Sequence, residues 1–179
     1  MLKGKKVTLR PVRRSDLKLF LEWFNDQDVI QYLSAYLPMT EMGEEKWIED
    51  LEKEEKKVIF VIETKEEKKP IGTCGLQEID YKNQRADFGI SIGEKDFWSK
   101  GYGTEATMLI IDYGFSQLNL NRISSAAFGF NTRSRNLHKK LGFKEEGCRR
   151  QNWFRNGKFQ DDIMFGLLRE DWINKKASP

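Results

Sequence analysis

Phe97-Trp98-Ser99-Lys100-Gly101-Tyr102-Gly103-Thr104-Glu105-Ala106 joins two kinds of periodicity. Residues 86–92 before it read as a strand, and Ala106, Leu109, Ile110, Tyr113, Gly114 and Leu118 after it fall on one side of a helix. The segment is therefore a strand end, a glycine-bearing turn and the start of a long helix. The first N–H groups of such a helix have no intrahelical acceptor and point outward, backed by the positive end of the helix dipole. Gly101 and Gly103 carry no Cβ, so an anion can approach the backbone. Several convergent donors suit a pyrophosphate. The plain alternative is a capped helix whose glycines serve packing. The spacing matches neither a Walker loop nor the three-glycine dinucleotide fingerprint.

Outward from this turn, strand and helix patterns alternate. Toward the N-terminus, Val58-Ile59-Phe60-Val61-Ile62 is a continuous apolar run, predicted as a strand buried on both faces. A charged turn at residues 65–69 links it to Pro70-Ile71-Gly72-Thr73-Cys74-Gly75-Leu76, a strand whose glycines signal a bulge or close packing. The first third holds a strand at Val7-Thr8-Leu9-Arg10 and two helices. One starts at Ser15-Asp16-Leu17 with Leu17, Phe20, Leu21 and Phe24 at helical spacing, and the other starts at Thr40 with Trp47, Ile48 and Leu51 as its apolar stripe. Toward the C-terminus, residues 122–130 read as a strand and residues 131–141 as a short helix ended by Gly142. Residues 143–152 and 159–167 form two last strands joined at Asn156-Gly157, a strong hairpin signal. The order is β-α-α-β-β-β-α-β-α-β-β. It predicts an α/β mixed sheet with helices on both faces, one domain over residues 1–173 and a frayed tail over residues 174–179.

Bulk properties exclude several classes. The 179 residues carry a net charge of +3 from 31 basic and 28 acidic side chains, too balanced for a nucleic-acid partner. One histidine rules out a multi-histidine metal centre, and Cys74 and Cys148 match no metal-ligand spacing. The charged start Met1-Leu2-Lys3-Gly4-Lys5-Lys6 lacks an apolar signal core, so both cysteines are expected as buried or half-buried thiols in a reducing cytoplasm. No run is long and apolar enough to span a bilayer, so no membrane partner is expected.

A second segment sharpens the reading: Asn131-Thr132-Arg133-Ser134-Arg135-Asn136-Leu137-His138-Lys139-Lys140-Leu141-Gly142-Phe143. With the first, it resembles the Gcn5-related N-acetyltransferase (GNAT) family. That family carries Arg/Gln-x-x-Gly-x-Gly/Ala between a strand and a helix, and later Asn-x-x-Ser/Ala-x-x-Leu/Ile-Tyr-x-Lys-x-Gly-Phe. Leu9-Arg10-Pro11 with Asp16-Leu17, and Asn156-Gly157-Lys158 with Asp161 and Leu168, are similar to its ribosomal-protein and polyamine acetyltransferase branch. The resemblance covers nearly the whole chain. Trp98 departs from the first motif, and His138 stands where the family has its tyrosine.

The resemblance implies a GNAT-like, mostly antiparallel sheet in which residues 86–92 and 122–130 are a splayed parallel pair. Acetyl-CoA is the implied cosubstrate, with no metal. Its pantetheine arm would lie in the opening against Ile90, Ser91 and Ile92. Its pyrophosphate would lie on Trp98, Ser99, Lys100, Gly101, Tyr102, Gly103 and Thr104, with Lys100 and Arg135 neutralising charge. Asn131 would hold the pantetheine or cap the next helix.

Acetyl transfer to an amine needs a group to take the ammonium proton, stabilisation of the thioester oxygen and, at departure, a proton for the thiolate. The acid candidates are Ser134, in the Asn-x-x-Ser element, and His138, four residues on and so on the same helix face. The base candidate is Asp87, because Ala86-Asp87-Phe88-Gly89-Ile90 resembles the family's Ala-Glu-Ile/Leu-Gly-Tyr strand. Its plain alternative is an ion pair with Arg85 or a lysine. Glu78 and Asp80 are alternates, and Tyr32, Tyr36 and Glu78 are candidates for lining the acceptor site. The expected activity is direct acetyl transfer to a primary amine, either a protein N-terminus or a polyamine or other small amine. A pocket ringed by Glu41, Glu44 and Glu45 would favour a polycation. The competing reading is a non-catalytic CoA-binding sensor or scaffold. A monomer or a homodimer is expected.

Overall fold

Val61 and Ile62 are sequence neighbours buried in different cores, as the two faces of a strand covered on both sides require. Val61 joins Phe20, Trp23 and Ile48 under the first helices, and Ile62 joins Ile110 and Ile111 of the long helix.

The computed structural model describes residues 1–177. Its elements are β1 (Leu2–Lys3), β2 (Val7–Pro11), α1 (Leu17–Asn25), α2 (Gln27–Ile30), α3 (Glu41–Leu51), β3 (Val58–Thr64), β4 (Pro70–Asp80), β5 (Arg85–Ile92), α4 (Tyr102–Ser116), β6 (Arg122–Phe128), α5 (Thr132–Lys140), β7 (Lys144–Arg155), β8 (Lys158–Leu168) and α6 (Arg169–Ala177). The strands form one eight-stranded sheet in the order β1-β2-β3-β4-β5-β6-β8-β7. Every neighbouring pair is antiparallel except β5 and β6.

That parallel pair fixes the site. Arg85, Ala86 and Asp87 pair with Arg122, Ile123 and Ser124, and the ladder stops there. Beyond it, β5 keeps its register with β4 as far as Ile92, and β6 keeps its register with β8 as far as Phe128. Each strand follows its other neighbour, and the sheet splits into a V. The expected fold class, a mostly antiparallel sheet with one splayed parallel pair and helices on both faces, is the observed one.

The helix starts follow the local chemistry. Thr40 Oγ1 accepts from the Gly43 amide at 3.2 Å at the start of α3, and Asn131 Oδ1 accepts from the Ser134 amide at 3.1 Å at the start of α5. Asn131 is thus a helix cap. The last helix corrects the sequence reading: residues 174–177 belong to α6, and residues 178–179 lie outside the described residues. Acidic Glu170 and Asp171 in its first turn and Lys175 and Lys176 in its last suit the helix dipole, and Trp172 is buried with its indole N–H on Asp112 at 2.6 Å. Cys74 is buried as expected, whereas Cys148 is exposed; both are free thiols.

Candidate active site

The turn before α4 takes a conformation that glycine permits. Gly101 caps the helix at φ 89°, in the left-handed region, two residues after Ser99 at φ 59°. The helical ladder opens with the Glu105 amide on the Gly101 carbonyl, so the amides of Tyr102, Gly103 and Thr104 have no intrahelical acceptor. Lys6 adds an unforeseen cation: its Nζ donates to the Lys100 carbonyl at 3.1 Å and lies 5.5 Å from the centre of the Tyr102 ring. Lys6 is brought there by Glu105, whose carboxylate accepts from the amides of Lys5, Lys6 and Val7 at 2.7–2.8 Å. The turn is a nest of donors with positive charge beside it, and a pyrophosphate fits it.

The backbone of β5 faces the V with alternate residues. The Phe88 carbonyl accepts from Ser125 Oγ at 3.0 Å, and the Ile92 carbonyl accepts from the Trp98 indole N–H at 2.7 Å. Both groups point away from β4, and a strand alternates with period two. The N–H and C=O of Ile90, midway between them, therefore face the gap beyond the end of the parallel ladder. They offer one donor and one acceptor to an extended amide-bearing arm, so the pantetheine arm of acetyl-CoA fits here as well. Ser91 lies out of phase with them and pairs across to Thr73 of β4.

A cleft of about 1640 Å³ runs through the V and under α1 and α3. Its floor on that face is set by cross-strand pairs. Gly75 sits opposite Gly89, with Thr73 and Ser91 on one side and Gln77 and Asp87 on the other. A Cβ at Gly89 would meet nothing within 4 Å, so the trough above it is open. Asp87 stands at its edge. Arg85 pairs instead with Asp80 at 3.4 Å, which removes the ion pair that would have made Asp87 structural. Partial desolvation and then the charge of Glu78 hold the Asp87 carboxyl above the ordinary aspartate range, against the pull of Arg85, Arg122 and Arg149.

The two acid candidates part company. His138 is 2% exposed, stacked 4.6 Å from Phe165 and edge-on to Phe143. Its Nδ1 lies 2.7 Å from the Ser134 carbonyl, which only accepts, so Nδ1 carries the proton and Nε2 is bare. Ser125 Oγ lies 2.9 Å from that Nε2 and 3.0 Å from the Phe88 carbonyl, and its single proton serves one of the two acceptors at a time. Burial pushes the imidazole pKa down, with the Ser134 carbonyl opposing, which favours the neutral ring. His138 lines the cleft as Ser134 does, but burial disfavours the imidazolium that would donate to a thiolate. Ser134 lines the cleft, and its amide, not its hydroxyl, is taken by the Asn131 cap.

Other expected residues sort by where their side chains end. Tyr32 lines the cleft beside Trp98 and Phe130, and the Arg133 guanidinium lies over the Trp98 ring at 4.1 Å and the Tyr32 ring at 5.1 Å. Tyr36 is 71% exposed, against Arg155 on the outside. Glu78 sits at φ 51° in the β4 bulge and lines a separate 530 Å³ hollow that shares Asp87 with the main cleft. Arg135 is absent from the cleft lining: its guanidinium donates to the Gly129 carbonyl at 3.1 Å and lies 4.0 Å from Glu145. Tyr102 packs its ring on Phe97 and gives the turn only its backbone, and Lys100 is exposed. Of Glu41, Glu44 and Glu45, only Glu44 points inward. Arg155, unpredicted, ties down the cleft's roof: one terminal nitrogen donates to the carbonyls of Leu33, Ser34 and Ala35 at 2.5–2.9 Å. Among the described residues no cluster of metal-ligating side chains occurs, and no helix is long and apolar enough to cross a membrane.

Known proteins share this arrangement. A family model described as an acetyltransferase (GNAT) domain matches residues 6–144. The chain is 35% identical over 171 residues to the uncharacterized N-acetyltransferase p20 of Bacillus licheniformis, covering 93% of this chain and 95% of that protein. It is 30% identical over 178 residues to the spermidine N(1)-acetyltransferase of Escherichia coli (strain K12), covering 97% and 91%. The crystal structure of spermidine N-acetyltransferase from Vibrio cholerae in complex with CoA and spermine superposes with a TM-score of 0.90 at 27% identity, over 96% of this chain and 100% of that one. With a splayed parallel pair, a donor nest at the head of α4 and a matching family model over most of its length, the chain belongs to the GNAT family and is an acetyl-CoA-dependent N-acetyltransferase.

Proposed function

We propose that the chain acetylates the primary amine of a small cationic acceptor by direct attack, with acetyl-CoA and acceptor approaching from opposite faces of the sheet. The observation that carries this reading is Asp87: a carboxyl unpaired to Arg85, with raised proton affinity, at the edge of the open trough over Gly89. An amine reaches the site as an ammonium, and only its neutral form is a nucleophile. Asp87 takes the proton directly or through a water. The nitrogen then attacks the thioester carbon, the C–N bond forms as the C–S bond breaks, and the remaining excess N–H proton passes to the departing thiolate. The Ile90 amide is a donor for the thioester oxygen or the pantetheine arm, and Ser134 donates a hydrogen bond to the departing thiolate. Tyr32 lines the acceptor side, and the similarity to spermidine acetyltransferases supports a small amine over a protein N-terminus.

Free-thiol release from acetyl-CoA, measured across small amines and short peptides with free N-termini, tests the reading. Release that depends on a small amine is expected. Asp87→Asn should then lower kcat by about 10²–10⁴-fold with the acetyl-CoA Kd nearly unmoved. Turnover of peptides alone would overturn the small-amine reading, and a fully active Asp87→Asn would overturn the base.

A further inference from the structure

Three carboxyls among the described residues are buried: Asp16, Glu44 and Asp162. Two are matched. Asp16 accepts two bonds of 2.8 Å from the Arg10 guanidinium, and Asp162 has Asn152 at 3.4 Å and Arg149 at 3.6 Å. Glu44, 2% exposed on α3, has no hydrogen bond or ion pair at its carboxyl among the described residues. Burial alone acts on its titration, and raises it. A buried carboxylate without a partner is expensive, and a glutamine of the same shape would avoid most of that cost.

The position of Glu44 suggests its partner. It lines the same cleft as Asp87 but projects from a helix over the sheet face rather than from β5. Phe24, Val29, Met39 and Trp47 line the cleft with it, so the surroundings combine one negative charge with apolar and aromatic walls. Such walls suit methylene groups, and the aromatic faces suit a cation. Asp87 already accounts for the reacting nitrogen. We infer that Glu44 is a specificity-determining anchor for a second ammonium on the acceptor, so that the preferred substrates are linear diamines and polyamines. This deepens the proposed function and rests on it.

The test compares 1,4-diaminobutane with butylamine, which differ only in the second amino group. Wild-type protein should favour the diamine in kcat/KM. Glu44→Gln should cut the diamine-to-monoamine ratio by about 10–100-fold, through KM for the diamine, as expected for loss of a charge-assisted contact. A ratio near one in the wild type, or a ratio that survives the substitution, overturns the anchor and leaves acetyl transfer standing. If neither amine is turned over, the small-amine reading fails, and calorimetry with 1,4-diaminobutane decides the anchor separately. Binding weakened in Glu44→Gln sustains it; equal binding by both proteins, or none, overturns it.

Discussion

Ser134 and His138 are one helical turn apart and face opposite fates. Both line the cleft, but the Ser134 hydroxyl lies only beside Nδ1 at 3.5 Å, whereas the His138 ring is packed among Phe88, Phe143 and Phe165 and held by the Ser134 carbonyl. Ser134→Ala should therefore lower turnover by about 10²–10⁴-fold and leave the melting temperature almost unmoved. His138→Ala should do the reverse in kind: it opens a cavity and strips partners from Ser125 and the Ser134 carbonyl, costing about 2–4 kcal/mol of stability in thermal or urea unfolding. The pH profile belongs to this scale as well. In the proposed reaction Asp87 works as a carboxylate, and its raised proton affinity means that form is lost, as pH falls, above the usual aspartate value of about 3.9. The charge of Glu78 helps to raise it. Glu78→Gln should thus move the acid limb of kcat, measured with saturating amine, to lower pH; a limb that stays put or moves up would contradict this assignment. The linkage runs the same way for stability. Because Glu44 and Asp87 are raised in the folded state, each carboxyl stabilises the fold only while protonated, and that contribution fades as pH rises through the folded pKa. Glu44→Gln should therefore raise the melting temperature at neutral pH, with the gain shrinking toward acid.

Among the elements, β5 does two jobs with its two sides. Its backbone turns Ile90 to the gap, while Asp87 and Gly89 share the face opposite Phe88. A larger side chain at Gly89 meets open space rather than protein, so Gly89→Leu should fold. It should fill the trough, raising the acceptor KM at least about tenfold, the scale of one misfitted apolar group, while the acetyl-CoA Kd measured by calorimetry changes little. The nest at the head of α4 is equally local, because Gly101 sets the turn and the helix supplies the donors. The glycine turn could be placed from spacing alone, because it depends on neighbours within a few residues, whereas the gap beside Ile90 depends on β6 and was implied only by the family resemblance. The helix α6 is absent from the predicted order, although its dipole-matched charges and Trp172 were in the sequence to be seen.

At the scale of the molecule, the cleft is closed by contacts between distant parts of the chain. Arg155, at the end of β7, holds the carbonyls of residues 33–35 about 120 positions earlier in the chain. Glu105 gathers the amides of residues 5–7 and carries Lys6 to the donor nest. Arg155→Ala should free the 33–35 segment, speeding amide hydrogen exchange in the residues that follow it and raising the acceptor KM several-fold, with the α4 turn unaffected. Unaltered exchange there would show that the roof is held by other contacts.

The sequence by itself determined the order of strands and helices from β2 to β8 apart from the short α2, the glycine turn before α4 and the Asn131 cap. Each rests on periodicity or on chemistry between near neighbours, where a few residues dictate the geometry. Only the tertiary structure decided which charges are matched. Arg85 was drawn to Asp80 and not to Asp87, Arg135 to the Gly129 carbonyl and Glu145, and His138 into an aromatic stack. Glu44 alone among three acidic neighbours was turned inward without a cation. A side chain's partner is set by whichever groups the packed core brings within a few ångströms. Spacing along the chain carries no record of that when the partners lie on different elements.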